Sequence, residues 1–419
     1  MPEPVLVRLP NVVVPGMTVS SDDGSELLTS ERVGPLLSAA VSHAGGRLVE
    51  WRIDHVDTQP NHSTTATFST VVDWPQGRRT ELLGVSARAG QTTRSDSRAE
   101  IFHDGDREVV VWIHPKDPDL PGLRRLAYPA EMAQVLGPLV GRDISADEVE
   151  IELLGYRPRR RAVARIVVRG LGACYVKAVR TRAVGPMRRR HQLLSGAGVP
   201  APEVLTITED HLLILRELPG VPLASALFEP TAPCTAEDLI ATLDAMPPAV
   251  AALNSRSSWV ASLDHYVEMV SRAAPDQARR LDEIAAIVKQ GLAGVPAGTE
   301  PTHGDFHEGQ VHVSGGRVVG LLDIDTIGPG RRADDLACMV AHLSTVQRMN
   351  TRQAERVQNL LATWVPVFDD RVDPVELRLR ASAIAISLAT GPYRVQEPNW
   401  HAETVGIVDA ADTLARRAG

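Results

Sequence analysis

Apolar positions change their spacing several times along this 419-residue chain, and the changes divide it. The first 35 residues carry short apolar runs broken by Pro10, Pro15, Gly16 and Gly24, and residues 31–41 show helical spacing. From residue 46 to 89 the period falls to two. Residues 48–53, 67–72 and 81–87 alternate, with Trp74-Pro75-Gln76-Gly77 as a turn, which predicts strands. Residues 91–100 are polar and loop-like, and 108–113 predict another strand. Pro115, Pro118 and Pro121 stiffen a connector over 115–122, and 131–139 return to helical spacing.

A second β region follows. Strands are predicted over 149–154, 162–168 and 173–179, separated by the basic turn Tyr156-Arg157-Pro158-Arg159-Arg160-Arg161 and by Gly170-Leu171-Gly172. A helix over 188–195 and a strand over 211–215 come next, then helical spacing over 235–295 broken at Pro247-Pro248 and Pro275. A short hairpin spans 311–313 and 318–322 across Ser314-Gly315-Gly316. Further helices start near Asp334, Thr351 and Val375, with an interruption at 389–396. The two β regions echo each other, since Gln59-Pro60-Asn61-His62 and Arg157-Pro158-Arg159-Arg160 each join two strands that a third strand follows. Two readings stand: an internal repeat, or a cap of unrelated topology.

Composition is that of an ordinary globular chain, 43% apolar and 23% charged. The net charge of −8 argues against nucleic acid or an anionic membrane surface as partner. No apolar run reaches membrane-spanning length, and Met1-Pro2-Glu3-Pro4 does not open a signal peptide. Three scattered cysteines, Cys174, Cys234 and Cys338, fit reduced thiols and a cytoplasmic protein. Lysine occurs only at 116, 177 and 289, so each lysine's place is informative.

The candidate chemistry lies in His303-Gly304-Asp305-Phe306-His307-Glu308-Gly309-Gln310 and the sequel Leu322-Asp323-Ile324-Asp325. Asp305 stands in a tight turn, Gln310 leads into the hairpin, and the second strand returns Asp323 beside the first loop. Two carboxylates and an amide offer only hard oxygen donors, which suits Mg²⁺. A zinc set of His303, His307 and His312 is the alternative, but an i,i+4 pair needs a helix and Gly304 opposes one.

These motifs resemble the catalytic centre of the aminoglycoside phosphotransferase and choline-kinase family, whose pattern runs His-Gly-Asp, four residues, Asn, then a hairpin ending in Asp-x-Asp. Gln310 stands where most of that family has Asn, as in the maltokinase and glucosamine-kinase relatives. The resemblance implies an α+β fold, a bilobal protein-kinase-like architecture with an antiparallel-sheet small lobe and a mostly helical large lobe. It divides the chain into an extra β-rich N-terminal domain (1–125), a small lobe (126–218) and a large lobe (219–419). It implies ATP and Mg²⁺ as cofactors and a small-molecule hydroxyl as acceptor: an amino sugar, an oligosaccharide or an aminoglycoside-like compound. Asp305 then matches the catalytic base, Gln310 and Asp323 the metal ligands, and Lys177 the strand lysine on the phosphates. Arg216, Glu217 and Leu218 match the hinge that holds adenine, and His303 and Asp335 brace the loop; Asp325 is either a further metal or water ligand or a loop-bracing carboxylate at the hairpin end, held by backbone N–H groups. His307, Glu308, Arg394, Gln396 and Trp400 are candidates for the acceptor wall; for the last three a plain loop packed by Tyr393 and Trp400 is the alternative. Two family features are missing. No Gly-x-Gly-x-x-Gly joins the first small-lobe strands, and the helix at 188–195 has Arg190 and His191 but no Glu to pair with Lys177. A catalytically inactive pseudokinase that binds a ligand or partner is therefore the rival reading.

Overall fold

Alternating β-branched and polar residues at the start of the chain become three long antiparallel strands. The computed structural model describes residues 23–418 apart from 90–98, 105–106, 230, 255–256 and 347–349. The early breaks at Pro10, Pro15 and Gly16, and most of the loop expected over 91–100, lie outside the described residues. Helices α1 (Ser25–Leu28) and α2 (Gly34–His43) precede β1 (Arg47–Gln59), β2 (Ser63–Trp74), β3 (Gly77–Ala89), β4 (Glu100–Asp104) and β5 (Arg107–Ile113). The sheet order is β1-β2-β3-β5-β4. Inward residues such as Val56, Phe68, Leu83 and Val85 form one core with Leu36, Leu37 and Val41 of α2. Strand β4 was not expected, because Glu100 closes a polar stretch.

Helices α3 (Leu123–Leu126) and α4 (Pro129–Val140) precede β6 (Val149–Arg157), β7 (Arg161–Val168) and β8 (Gly172–Val179). Helix α5 (Thr181–Gly196) then leads to β9 (Val204–Ile207) and β10 (Leu212–Arg216), and the order β6-β7-β8-β10-β9 is that of the first sheet. Helix α5 begins earlier than its sequence pattern and contains Pro186. Its own core joins Ala164, Ile166, Val176 and Ile214 to Met132 and Leu136 of α4.

The likeness of the two halves extends to side chains. In each, a proline turn bonds N–H to C=O across four residues, His62 to Gln59 and Arg160 to Arg157, both at 3.0 Å. The residue after proline is left-handed, Asn61 at φ 60° and Arg159 at φ 58°, as a type II turn requires. Each left-handed N–H is gripped by a buried carboxylate ahead of the short helix. Asn61 N donates to Asp23 Oδ2 at 3.0 Å, and Arg159 N to Asp117 Oδ2 at 2.7 Å. The same carboxylates accept from Ser25 N (3.0 Å) and Asp119 N (2.9 Å). Strand registers extend the correspondence: Thr65 pairs with Ser86 and Val163 with Lys177, each pair two rungs from its turn. Ser86 thus occupies in the first repeat the place of Lys177 in the second.

By its contacts the chain forms two compact units. The first holds the described residues to Val184, with Leu205–Ile214 and Arg394–Glu397, so both repeats belong to it. The second holds Gly185–Val204, Leu215–Tyr393 and the described residues from Pro398. It contains β11 (Val221–Pro222), α6 (Leu223–Ala226), α7 (Ala236–Asp244), α8 (Leu263–Ala273), α9 (Ala278–Gly291), β12 (Glu300–Thr302), β13 (Val311–Ser314), β14 (Arg317–Leu321) and β15 (Gly328–Gly330). Helices α10 (Arg332–Thr345), α11 (Thr351–Arg371), α12 (Pro374–Leu388), α13 (Gly391–Arg394) and α14 (Trp400–Arg416) complete the chain. Helices α10 and α12 are buried along most of their length, and Arg380 of α12 ties them by bonding Asp334 Oδ1 of α10 at 2.7 Å, while Glu376 of its own helix takes Nε at 2.6 Å. Among the described residues no helix is long and apolar enough to cross a membrane.

Candidate active site

The loop between β12 and β13 is fixed from below by α10. Asp335, fully buried one turn into that helix, accepts N–H bonds from His303 at 2.9 Å and Gly304 at 2.8 Å, with Arg332 at 3.3 Å. Burial pushes the Asp335 carboxyl up to about 7, against the pull of these donors. Gly304 is left-handed at φ 78°, and a Cβ there would meet the Thr326 carbonyl oxygen at 2.9 Å, so glycine is required. Thr326 Oγ1 donates to His303 O at 2.8 Å. The His303 ring is buried, with Nε2 2.9 Å from Leu322 O, and burial holds its pKa down. Phe306 anchors the loop in the core.

The hairpin brings the second segment alongside. Gly315 and Gly316, both left-handed, close β13 on β14, and Leu322 N donates to Gln310 O at 2.7 Å. Asp323 is left-handed at φ 45°, a conformation of cost for a residue with a side chain. Its charge and that of Asp305 both act on the imidazoles of His303 and His307, so both carboxylates lie near this pair of rings. Arg190 of α5 donates to Ile327 O at 3.2 Å and lies near Asp325. His191 is buried with Nδ1 2.9 Å from Pro202 O.

The three histidines of the zinc alternative do not assemble. His303 faces Leu322 O, and His312 Nδ1 lies 3.1 Å from Pro219 O. His307 instead stacks on His342 of α10, with centroids 3.9 Å apart and planes 8° apart. Glu308 Oε2 lies 3.7 Å from His307 Nδ1 and 3.6 Å from His342 Nδ1, at ion-pair rather than hydrogen-bond range. Burial alone would lower His307, but Glu308, Asp305 and Asp323 outweigh it and the pKa ends above the ordinary value. For Glu308 burial is likewise overcome, by the two imidazoles, and the carboxyl is held far below its usual range. These three side chains place ligand atoms within 4.8 Å of one another and could hold a metal. Sequence reasoning missed His342. Its signal was the spacing from Asp335, since residues seven apart share a helix face.

Gln310 Nε2 lies 3.1 Å from His307 Nε2. Gly309 N–H donates to His307 Nδ1 at 3.1 Å, so the ring proton is on Nε2 and faces the amide, whose oxygen accepts it and keeps a second lone pair for a cation. With the Asp323 carboxylate this is a hard-oxygen donor set that fits Mg²⁺.

The other expected site residues are spread over the chain. Lys177 is buried in β8 of the first unit. Arg216 ends β10, exposed, with Nε 2.6 Å from Glu203 Oε2; Glu217 and Leu218 follow, half-buried, and Leu218 packs on Gly320. Arg394 and Gln396 group with the first unit, where Arg394 lies near His55 and Arg157. Trp400 belongs to the second unit and packs edge-on against Tyr393 at 5.0 Å. A cavity of about 650 Å³ in the second unit touches Gly304, Thr326 and Asp334, but none of Asp305, Gln310 and Asp323 lines it.

The family model described as the phosphotransferase enzyme family matches residues 145–367. No match was found among curated proteins. Among solved structures the chain is similar to a thermostable mutant of the aminoglycoside phosphotransferase APH(4)-Ia in ternary complex with ADP and hygromycin B. That match has 15% identity over 68% of this chain and 98% of that chain, with TM-score 0.46. An ethanolamine kinase of Plasmodium vivax matches with 12% identity over 65% and 85%, TM-score 0.41. A choline kinase of Cryptosporidium parvum Iowa II matches with 10% identity over 71% and 94%, TM-score 0.45.

Proposed function

The chain belongs to the phosphotransferase enzyme family, and from that premise we propose that it transfers the γ-phosphoryl group of ATP to a hydroxyl of a small molecule. The acceptor classes are amino sugars, oligosaccharides and aminoglycoside-like compounds. The observation that carries the reading is that Asp305 and Asp323 both lie near enough to act on His303 and His307, with the Gln310 amide against the His307 ring.

Asp305 orients the acceptor hydroxyl and takes its proton as that oxygen bonds to the γ-phosphorus and the bond from phosphorus to the β,γ-bridging oxygen breaks, leaving ADP. Asp323 and the Gln310 amide oxygen would hold Mg²⁺, which when bound neutralises charge on the phosphoryl oxygens. Lys177 neutralises the α- and β-phosphates, and the backbone of Arg216, Glu217 and Leu218 receives adenine. His303, Asp325 and Asp335 keep the loop in shape. His307, Glu308, Arg394, Gln396 and Trp400 contribute to acceptor binding. Positioning and charge neutralisation supply most of the acceleration in this chemistry.

The test is Asp305→Ala. Phosphoryl transfer should fall by about 10²–10⁴-fold, while stabilisation of the fold by ATP with Mg²⁺ persists. Activity retained in that variant would remove the assignment. One observation favours the rival: Arg190, where a Glu would pair with Lys177, is spent on Ile327 O. An inactive binder would show no ADP release with any hydroxylated or aminated compound, and thermal shifts independent of Mg²⁺.

A further inference from the structure

We propose that the cavity between the proline turns of the two repeats is a binding site for a phosphoryl oxyanion, separate from the phosphotransfer centre. The cavity lies within the first unit and measures about 280 Å³. Six arginines line it: Arg88 of β3, Arg157, Arg159 and Arg160 of the β6–β7 turn, and Arg180 and Arg182 at the start of α5. Asp57, on the opposite wall, is the one carboxylate of the lining.

The acids nearby are already committed. Asp57 bonds Arg160 at 2.9 Å and reaches Arg157 only at 3.9 Å. Asp119 takes Arg159 Nε at 2.8 Å. Asp117 is filled by the Arg159 and Asp119 N–H groups and by Tyr156 Oη at 2.8 Å. Glu108 acts on Arg88. The guanidinium groups therefore outnumber the carboxylates that face them and press on one another. Burial and the neighbouring cations Arg394, Arg160 and Arg161 bring Arg157 down to about 10, and Arg88 and Arg180 are lowered in the same way. His55, on the same wall as Asp57, is lowered to about 4 by burial and by Arg394, and its buried Nε2 has no hydrogen-bond partner.

Planar guanidinium forks in a concave site match an oxyanion with several acceptor oxygens, and bidentate bonds to phosphate are the strong form of this contact. A phosphoryl group here would answer the surplus cations. It would also bridge β1 and β2 of the first repeat to the turn of the second. Arg159 presents its guanidinium from a left-handed backbone position that glycine or asparagine usually takes. That conformation is held by Asp117, by Arg180 Nε on its carbonyl, and by Ser86 Oγ 3.3 Å from its guanidinium. The lining is thus a built wall with fixed cations.

The test uses the full chain without nucleotide or Mg²⁺, titrated with inorganic phosphate and pyrophosphate by calorimetry, with chloride at matched ionic strength as control. Saturable binding is expected, tighter for pyrophosphate. The double variant Arg157→Gln, Arg182→Gln should weaken it by about ten-fold or more. Asp57→Asn removes the competing acid and should tighten it, which decides the matter even where the double variant does not fold. Three results would each overturn the proposal: chloride reproducing the signal, affinity unchanged in the double variant, or affinity unchanged or weakened in Asp57→Asn. Loss of phosphate binding when ATP with Mg²⁺ saturates the protein would also overturn it, by assigning the anion to the nucleotide's own tail. None of these readouts requires turnover, so they stand apart from the test of Asp305.

Discussion

The two repeats of the first unit share helices, strand order, turn and clasp, yet they differ at the rung where Ser86 answers Lys177. The first repeat has the longer strands, 13, 12 and 13 residues against 9, 8 and 8. Its polar side chains are spent on its neighbour. Ser86 contacts Arg159, and Trp112 Nε1 donates to Tyr156 Oη at 2.7 Å, which in turn donates to Asp117. The second repeat keeps the buried amine and feeds α5. One scaffold thus serves two ends: the second repeat keeps the buried lysine, and the first holds the second's turn in place.

The sharpest way to break this division is to compare the paired rungs. Lys177→Ala should lower kcat/KM by on the order of 10³-fold, whereas Ser86→Ala should leave turnover near wild type. Equal losses in steady-state assays would show that the first repeat shares the chemistry.

The clasps come next. Asp117→Ala strands two backbone N–H groups and Tyr156 Oη and should cost about 3 kcal/mol. Asp23→Ala loses the two N–H bonds alone and should cost about 2 kcal/mol, both read from urea unfolding. The reverse ranking would mean that the first clasp, not the second, holds the unit.

A pH series probes the two histidines of the first repeat's end. His55 and His114 are both lowered from the ordinary 6.5 to about 4, His55 by burial with Arg394, Arg157 and Arg160 against Asp57, His114 by burial. Between those values the unfolded chain binds the proton and the folded one does not. Stability is therefore complete above about pH 6.5 and falls as pH drops toward 4, by on the order of 1–2 kcal/mol for each histidine after discounting partial exposure. His55→Gln and His114→Gln should each flatten that part of the melting curve.

The smallest effect separates the turns. Asn61→Gly should change stability by no more than about 0.5 kcal/mol, since both residues tolerate the left-handed position. Arg159→Gly relieves the same strain but loses Asp119 and Ser86, and should destabilise by about 1 kcal/mol.

Much of this was legible in the sequence, for reasons that differ by element. Period-two runs and the two Pro-containing turns marked the strands, because side-chain alternation and proline's fixed φ act locally. The candidate loop was legible because Gly304, Asp305 and Gln310 keep a tight local spacing. The clasps were not. An aspartate before a helix resembles any turn residue, and the N–H groups it holds lie 38 and 42 residues away. Strand β4 was missed because it is short and opens from a polar stretch, where pairing with β5 overrides propensity. The grouping of His307 with His342 required knowing that α10 runs beneath the loop.

The clasp between Asp23 and Asn61 carries a consequence for the order of assembly. Every element it needs is complete before residue 114 has been synthesised, so the first repeat can condense while the rest of the chain is still emerging. The second repeat's turn then forms against a surface already made, with Trp112 and Ser86 waiting for Tyr156 and Arg159. A fragment ending at residue 113, once released from the ribosome, should therefore resist protease, and the left-handed arginine turn should become protected only once the downstream strands have left the ribosome.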